Sequence, residues 1–218
     1  MFTGIIAAVG RLVSTQHHGT DQRICLHTGS LDMTDVKLGD SIAANGICLT
    51  VIEQGADYFM ADVSHETLSC TTLQHWTSGT LVNLEKALQL SDRLGGHLVS
   101  GHVDGVGHLI ERQAEGRSQR LSFQAPTALS RYIAVKGSIS IDGVSLTVNT
   151  SPAPVFTVNI VPHTLKETTL DQLQIGQAVN LEVDLIARYL ERLWQIPAPT
   201  PAPSLTLDLL QQHGFIRD

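Results

Sequence analysis

The sequence predicts an all-β fold: two similar six-stranded Greek-key β-barrels from an internal duplication, followed by a C-terminal α-helix. Three observations predict it. Glycines punctuate the first half at short intervals, at Gly10, Gly19, Gly29, Gly39, Gly46, Gly55 and Gly79, the rhythm of short strands joined by tight turns. The second half repeats the first at one fixed offset. Beyond the repeat, apolar residues change from a strand-like to a helical period.

The offset is plainest at two hairpins. Asn45-Gly46-Ile47-Cys48-Leu49-Thr50-Val51 and Asp142-Gly143-Val144-Ser145-Leu146-Thr147-Val148 follow one pattern, 97 positions apart. Asn-Gly and Asp-Gly suit a type I′ turn, whose two central residues need positive φ. After the first turn, Leu49 and Val51 share one face of a strand, and Cys48 and Thr50 share the other. The register holds elsewhere without a gap. Thr3-Gly4 matches Ser100-Gly101, Val9-Gly10 matches Val106-Gly107, and Thr71-Thr72-Leu73 matches Thr168-Thr169-Leu170. Val82-Asn83-Leu84-Glu85 matches Val179-Asn180-Leu181-Glu182. Chance likeness among strands does not keep one register.

The expected domains are therefore residues 1–96 and 97–184, joined at Gly95-Gly96. One undivided all-β domain is the alternative, and it fits the offset less well. Ile24, Leu26 and Ile42, Ala44 alternate as strands do, while Ser64 to Leu73 is less regular and suits a short helical turn.

From Leu185 the apolar residues Ile186, Tyr189, Leu190, Leu193 and Trp194 form one helical stripe. The spacing predicts a helix over 185–196, with Asp184 as N-cap and Pro197 as its close. Arg188, Glu191 and Arg192 fall on the wet side. The stripe packs either on its own barrel or on other copies; appended to complete domains, it favours an oligomer. Pro197, Pro199, Pro201 and Pro203 make a stiff spacer in a tail over 197–218. A short second helix is expected over 205–213, between Ser204 as N-cap and Gly214 as stop.

Composition excludes several classes. The 218 residues carry a formal charge of −7 with no basic run, and aromatics are 5%. A nucleic-acid surface needs clustered Lys and Arg. Cys25, Cys48 and Cys70 are odd in number and unclustered, which argues against a disulfide framework. The start, Met1-Phe2-Thr3-Gly4, lacks a signal-peptide pattern, and no apolar run spans a bilayer. A soluble cytoplasmic protein with no nucleic-acid or membrane partner is the expectation.

Familiar catalytic motifs fail in turn. His65-Glu66 lacks a second His at i+4, where Ser69 stands. His97 and His102 point to opposite faces of a strand. His102 and His108 have no third ligand, so no metal is expected. Gly105-Val106-Gly107 opens a dinucleotide fingerprint, but Ile110 holds the third glycine position. Neither a phosphate loop nor a nucleophile elbow is present.

Two copies of one fold make two copies of one pocket, with unequal polar groups. Ile5 becomes His102, Gly39 becomes Lys136, Asn45 becomes Asp142 and Cys48 becomes Ser145. Such a pair suits two identical substrates in unequal roles, one donating and one accepting, with the barrier lowered by holding both in register.

Four stretches carry a resemblance to a known family. Met1-Phe2-Thr3-Gly4-Ile5, Asn45-Gly46-x-Cys48-Leu49-Thr50-Val51, Gly95-Gly96-His97-Leu98-x-Ser100-Gly101-His102 and Asp142-Gly143-x-Ser145-Leu146-Thr147-Val148 resemble riboflavin synthase of the alpha-chain type. The likeness runs from Met1 to about Trp194. It implies two β-barrels and a C-terminal helix, in a homotrimer assembled through that helix. The active site would lie between the N-terminal barrel of one subunit and the C-terminal barrel of the next, holding two lumazines. The implied reaction is dismutation of two 6,7-dimethyl-8-ribityllumazines. One yields a four-carbon unit and leaves as 5-amino-6-ribitylamino-uracil; the other becomes riboflavin. No metal or redox cofactor is implied, and some relatives associate with a lumazine synthase.

Carried over by position, the substrate-binding residues of the first barrel would be Gly4, Ile5, Ile6, Cys48, Leu49 and Thr50, with Asp62, Val63, Ser64, His65, Glu66 and Thr67. Those of the second would be Gly101, His102, Val103, Lys136, Ser145, Leu146 and Thr147, with Asn159, Ile160, Val161, Pro162, His163 and Thr164. Ser41 and Asp184 are further polar matches. The expected catalytic set is His102, Cys48, Ser145, Thr147 and Asp142.

The lumazine 7-methyl must lose a proton to become a carbon nucleophile, and His102 is the first candidate to move it. A structural histidine at the barrel mouth is the other reading. Cys48, or a water held by Ser145 and Thr147, would assist addition at C7. Cys48 also reads as a small packed thiol, and Asp142 as a turn-former. Lys136 would hold a ring carbonyl or a ribityl hydroxyl, or be a solvated surface charge. Two functions compete with the synthase: a non-catalytic lumazine- or flavin-binding antenna, and a flavin-reductase barrel. The antenna should lose its polar set in one pocket; the reductase needs a nicotinamide-binding segment that the sequence does not show.

Overall fold

Asn45 and Gly46 take φ of 46° and 75°, and Asp142 and Gly143 take 45° and 82°. Both hairpins therefore turn as their dipeptides dictate. The structure, a computed structural model, describes residues 1–195 and 207–215. Pro197, Pro199, Pro201, Pro203, Ser204 and Leu205 lie outside the described residues.

The first half holds β1 (Ala8–His18), β2 (Asp21–His27), β3 (Ser41–Ala44), β4 (Ile47–Thr50), β5 (Glu53–Gln54), β6 (Tyr58–Val63) and β7 (Leu81–Lys86). The second holds β8 (Gly105–Glu115), β9 (Ser118–Gln124), β10 (Ser138–Ile141), β11 (Val144–Thr150), β12 (Val155–Ile160) and β13 (Ala178–Val183). The second half is a closed ring, β10-β11-β12-β9-β8-β13. Hairpin-linked β10, β11 and β12 place β12 beside β9, which is a Greek key.

The first half departs from the expected six-stranded ring. Its ladder, β4-β3-β7-β1-β2-β6-β5, is open. The two ends, β4 and β5, are successive pieces of the stretch that aligns with β11. The break falls at Val51 and Ile52, where β11 shows a register shift between Val148 and Thr150. A bulge at one place thus splits one copy and only bends the other. Ile52 N–H still donates to Met60 O of β6 at 2.9 Å, so the ring closes through the chain itself.

Alternation builds each core. In β4, Ile47 and Leu49 are buried, while Cys48 is half-buried and Thr50 exposed. Leu12, Ile24, Leu26, Ile42, Phe59 and Leu84 fill the first barrel. Leu109, Leu121, Phe123, Ile139, Phe156 and Leu181 fill the second; there the Phe123 and Phe156 rings stack with centroids 5.6 Å apart. Short helices follow β6 and β12: α1 (His65–Cys70), capped by Ser64, and α2 (Pro162–Glu167), opened by Pro162 in place of a side-chain cap. A 3-10 turn follows each, Thr72–His75 and Thr169–Gln172.

The two hairpin turns meet at the seam between barrels. A Cβ on Gly46 would stand 2.8 Å from Gly143 N, so the approach requires glycine. Two asparagines lock the seam reciprocally. Asn83 Nδ2–H donates to Asp142 O at 2.9 Å, and Thr169 N–H donates to Asn83 Oδ1 at 2.8 Å. Asn180 does the mirror image with Asn45 O and Thr72 N–H, at the same two distances.

Residues 1–188 form one unit, and residues 189–218 a second. The helix α3 (Leu185–Trp194) starts as expected, with Ile186 N–H donating to Asp184 Oδ1 at 3.0 Å. Asp104 fixes its base, accepting from Val183 N–H at 2.7 Å and pairing with Arg188. No residue of α3 is buried; Ile186, Tyr189, Leu190, Leu193 and Trp194 are all exposed. The short α4 (Leu207–Gln212) precedes Gly214, which is left-handed at φ 76°. No helix among the described residues is long and apolar enough to cross a membrane.

Candidate active site

The two barrels exchange their entry segments. Phe2 and Val99 pair as an antiparallel bridge, buried with Ala43 in a small apolar cluster of their own. Past this bridge each segment goes to the other barrel. Ser145 N–H donates to Gly4 O at 2.8 Å, and Cys48 N–H donates to Gly101 O at 2.9 Å. Ile6 then packs on the core of the second barrel and Val103 on that of the first. The expected assignment is therefore corrected. Gly4, Ile5 and Ile6 belong with Ser145, Leu146 and Thr147; Gly101, His102 and Val103 belong with Cys48, Leu49 and Thr50. Register across the repeat could not show this, because a reciprocal exchange preserves the offset.

Buried carboxylates pin the crossings. Glu85 accepts from Thr3 N–H at 2.7 Å, from its hydroxyl at 2.5 Å and from Gly4 N–H at 2.9 Å. Glu182 accepts from Ser100 N–H at 2.6 Å, its hydroxyl at 2.7 Å and Gly101 N–H at 3.0 Å. Burial pushes both carboxyls above the ordinary glutamate range, and these bonds pull back in part. Both glutamates close repeated blocks of the sequence, so their signal was visible. Their role was not.

At the lip of the first barrel stand Cys48, Thr50, His102 and the start of α1. Thr50 faces Ser41 across the β3–β4 ladder. His102 is exposed, its N–H held by Ser100 Oγ at 3.3 Å. Ser64 Oγ caps α1 by accepting from Thr67 N–H at 3.2 Å; His65 and Glu66 are exposed on its first turn. Asp62 is engaged elsewhere: Arg23 grips it through Nε at 2.7 Å and Nη2 at 2.9 Å, and holds its carboxyl below the usual range.

At the lip of the second barrel, Thr147 faces Ser138, a counterpart of Ser41 that the sequence reading missed. Asn159, Val161, Pro162 and His163 are exposed, and Thr164 is half-buried. Lys136 is exposed and left-handed, φ 67°, where the first half has Gly39 at φ 92°. A non-glycine there is held against about 1–2 kcal/mol of strain. Asp184, half-buried, caps α3. Leu49, Val63 and Ile160 point into the cores at 3%, 2% and 1% exposure. They offer a ligand only main-chain groups, which contiguous stretches of sequence could not distinguish.

Asp142 is 4% exposed and faces the seam, where its Oδ1 accepts from Asn180 N–H at 2.8 Å. With Asn45, Thr72 and Thr169 it lines a cleft of about 510 Å³ between the 3-10 turns. Burial pushes its carboxyl to about 7. These contacts fit the turn-forming reading of Asp142.

One further group was weighed in the sequence only as a metal ligand. His97 Nδ1 lies 2.7 Å from Ser145 Oγ. Burial depresses its basicity, against a pull from Asp184, so the ring is held toward its neutral form. No cluster of three or more His, Cys, Asp or Glu able to hold a metal occurs among the described residues.

The arrangement repeats one set of hydroxyls in both halves, Ser41 with Thr50 and Ser138 with Thr147. Comparison with known proteins identifies the repeat. The pattern of the lumazine binding domain matches residues 3–87 and again 100–184. The chain is 46% identical over 217 residues to a riboflavin synthase of Photobacterium phosphoreum, covering 99% of this chain and 100% of that one. It is 37% identical over 216 residues to a riboflavin synthase of Bacillus subtilis, with the same coverage. The fold is similar to crystal structures of a protein called LumP. With riboflavin bound to LumP, the TM-score is 0.77 at 24% identity, over 84% of this chain and 99% of that one. With 6,7-dimethyl-8-(1'-D-ribityl) lumazine bound, it is 0.75 at 23%, with the same coverage.

Proposed function

Since the chain belongs to the riboflavin synthase family, we propose that it dismutates two molecules of 6,7-dimethyl-8-ribityllumazine. A four-carbon unit passes from one to the other, giving riboflavin and 5-amino-6-ribitylamino-uracil. One observation carries this reading beyond the likeness: both exchanged pockets keep their polar groups. Cys48, Thr50 and His102 stand at one, and Ser145, Thr147 and His97 at the other. An antenna protein should have lost the set in at least one pocket.

Two equal pockets with unequal chemistry let one lumazine lose its 7-methyl proton while the other accepts the resulting carbon. The imidazole of His102, exposed on the lip, is the group suited to move that proton. Holding both rings in register supplies most of the remaining advantage. Incubating pure lumazine with the protein, without reductant or metal, tests the reading. Riboflavin should form, and stable fluorescence without conversion overturns it. His102→Gln should lower turnover about a hundredfold, while lumazine still binds. Unchanged turnover removes His102 from the mechanism.

The family resemblance puts the reacting pair between copies of the chain. We place each site between the first barrel of one copy and the second barrel of the next, in a homotrimer assembled through α3. The bare apolar face of that helix supports this arrangement. Sedimentation should show a trimer; a fully active monomer contradicts it.

A further inference from the structure

We infer that His97 is a positioning residue for the Ser145 hydroxyl, and that this pair makes the second pocket chemically unlike the first. The inference rests on the synthase reading. Main-chain bonds fix both partners: His97 N–H donates to Thr3 O at 3.1 Å, and Ser145 N–H donates to Gly4 O at 2.8 Å. Gly96 opens the way. A Cβ there would stand 2.2 Å from Thr3 O and 2.7 Å from Ser145 Cβ. The imidazole thus reaches Ser145 through a gap that only glycine leaves.

His97 is 8% exposed. A neutral ring either accepts the Ser145 proton or donates its own. In both cases the hydroxyl loses its rotational freedom and is aimed. The other ring nitrogen, Nε2, is buried without a hydrogen-bond partner among the described residues. An unmet buried polar atom costs about 1–3 kcal/mol, so His97 is a poor choice for stability alone. Its Nδ1 bond to Ser145 is the contact that justifies it. The matching place in the first pocket is different: Cys48 packs beside Phe2, Ala43 and Val99, all apolar. One pocket therefore presents an oriented hydroxyl and the other a thiol seated on hydrocarbon.

The test uses the full-length protein with pure 6,7-dimethyl-8-ribityllumazine. His97→Phe should lower kcat about tenfold with KM within about twofold, and Ser145→Ala should lose a similar factor. The double variant should lose no more than Ser145→Ala alone, because residues acting as one unit are not additive. His97→Asn, whose amide reaches the place of Nδ1, should recover most of the rate. Losses that multiply in the double variant, or a kcat untouched by His97→Phe, overturn the inference. Should His97→Phe not fold, His97→Ala takes its place in the cycle with Ser145→Ala and decides by the same criterion. Lumazine left unconverted by the wild-type protein sinks the synthase reading instead, so the two failures are told apart.

Discussion

Gly101→Ala should abolish turnover and destabilise the protein by roughly 2–6 kcal/mol. Gly101 sits at φ 80°, and an added Cβ would meet Cys48 Cβ at 2.7 Å, Phe2 Cε2 at 2.8 Å and Cys48 N at 3.1 Å. Two costs add: about 1–3 kcal/mol for alanine at positive φ, and about 1–3 kcal/mol for overpacking a rigid contact. Neither neighbour can give way cheaply. Phe2 is wholly buried, and Cys48 N–H is the donor that holds Gly101 O. Lifting that segment moves His102 off the first barrel. Gly116→Ala is the matched control, since Gly116 is also left-handed at φ 61° but its Cβ would meet nothing within 4 Å. Denaturant melts and lumazine turnover on both variants decide the matter. Equal stability losses, or a Gly101→Ala protein with normal turnover, refute the exchange as the source of the site.

Asp142→Asn should stabilise the protein at pH 8 and leave turnover within about twofold. The carboxyl is raised from 3.8 to about 7 by burial at the seam. The unfolded chain ionises near 3.8 and the folded one only near 7. Its contribution to stability is therefore fully present below about pH 4. It fades as pH rises, and is gone above about pH 7. The whole span corresponds to an upper bound of roughly 4 kcal/mol. Asparagine already fills the equivalent place as Asn45, whose Oδ1 accepts from Asn83 N–H at 2.7 Å. The variant should keep that bond and lose the titration. Melts at pH 4, 6 and 8 should show the gap between variant and wild type opening upward through this window. Glu85 and Glu182 titrate in the same sense in both proteins, so the difference isolates Asp142. A gap that stays constant, or lost turnover at unchanged stability, would return Asp142 to the reaction.

The turn pairs, the offset and the cap of α3 were legible because each is local: a dipeptide, a period, a residue before a stripe. The bulge at Val51 was not, since β4 and β5 look like one strand until the ladder is drawn. Segment exchange was illegible for a different reason. Thr3-Gly4 and Ser100-Gly101 carry the same residues whichever barrel they serve. Asp142 looked reactive because polarity next to a conspicuous motif says nothing of which way it faces. His97 lies outside both matched blocks, so no second copy drew the eye to it; its pairing with Ser145 spans 48 residues.

The crossing at Phe2 and Val99 also sets a timetable. The ribosome delivers Gly4 and Ile5 well before Ser145, on which they are seated. The first barrel in turn waits for Gly101 to be made before its mouth is finished. A nascent chain must keep its leading residues unseated until most of the protein is out, and neither cavity can be filled early. The first is completed once Gly101 has emerged, and the second only after Ser145.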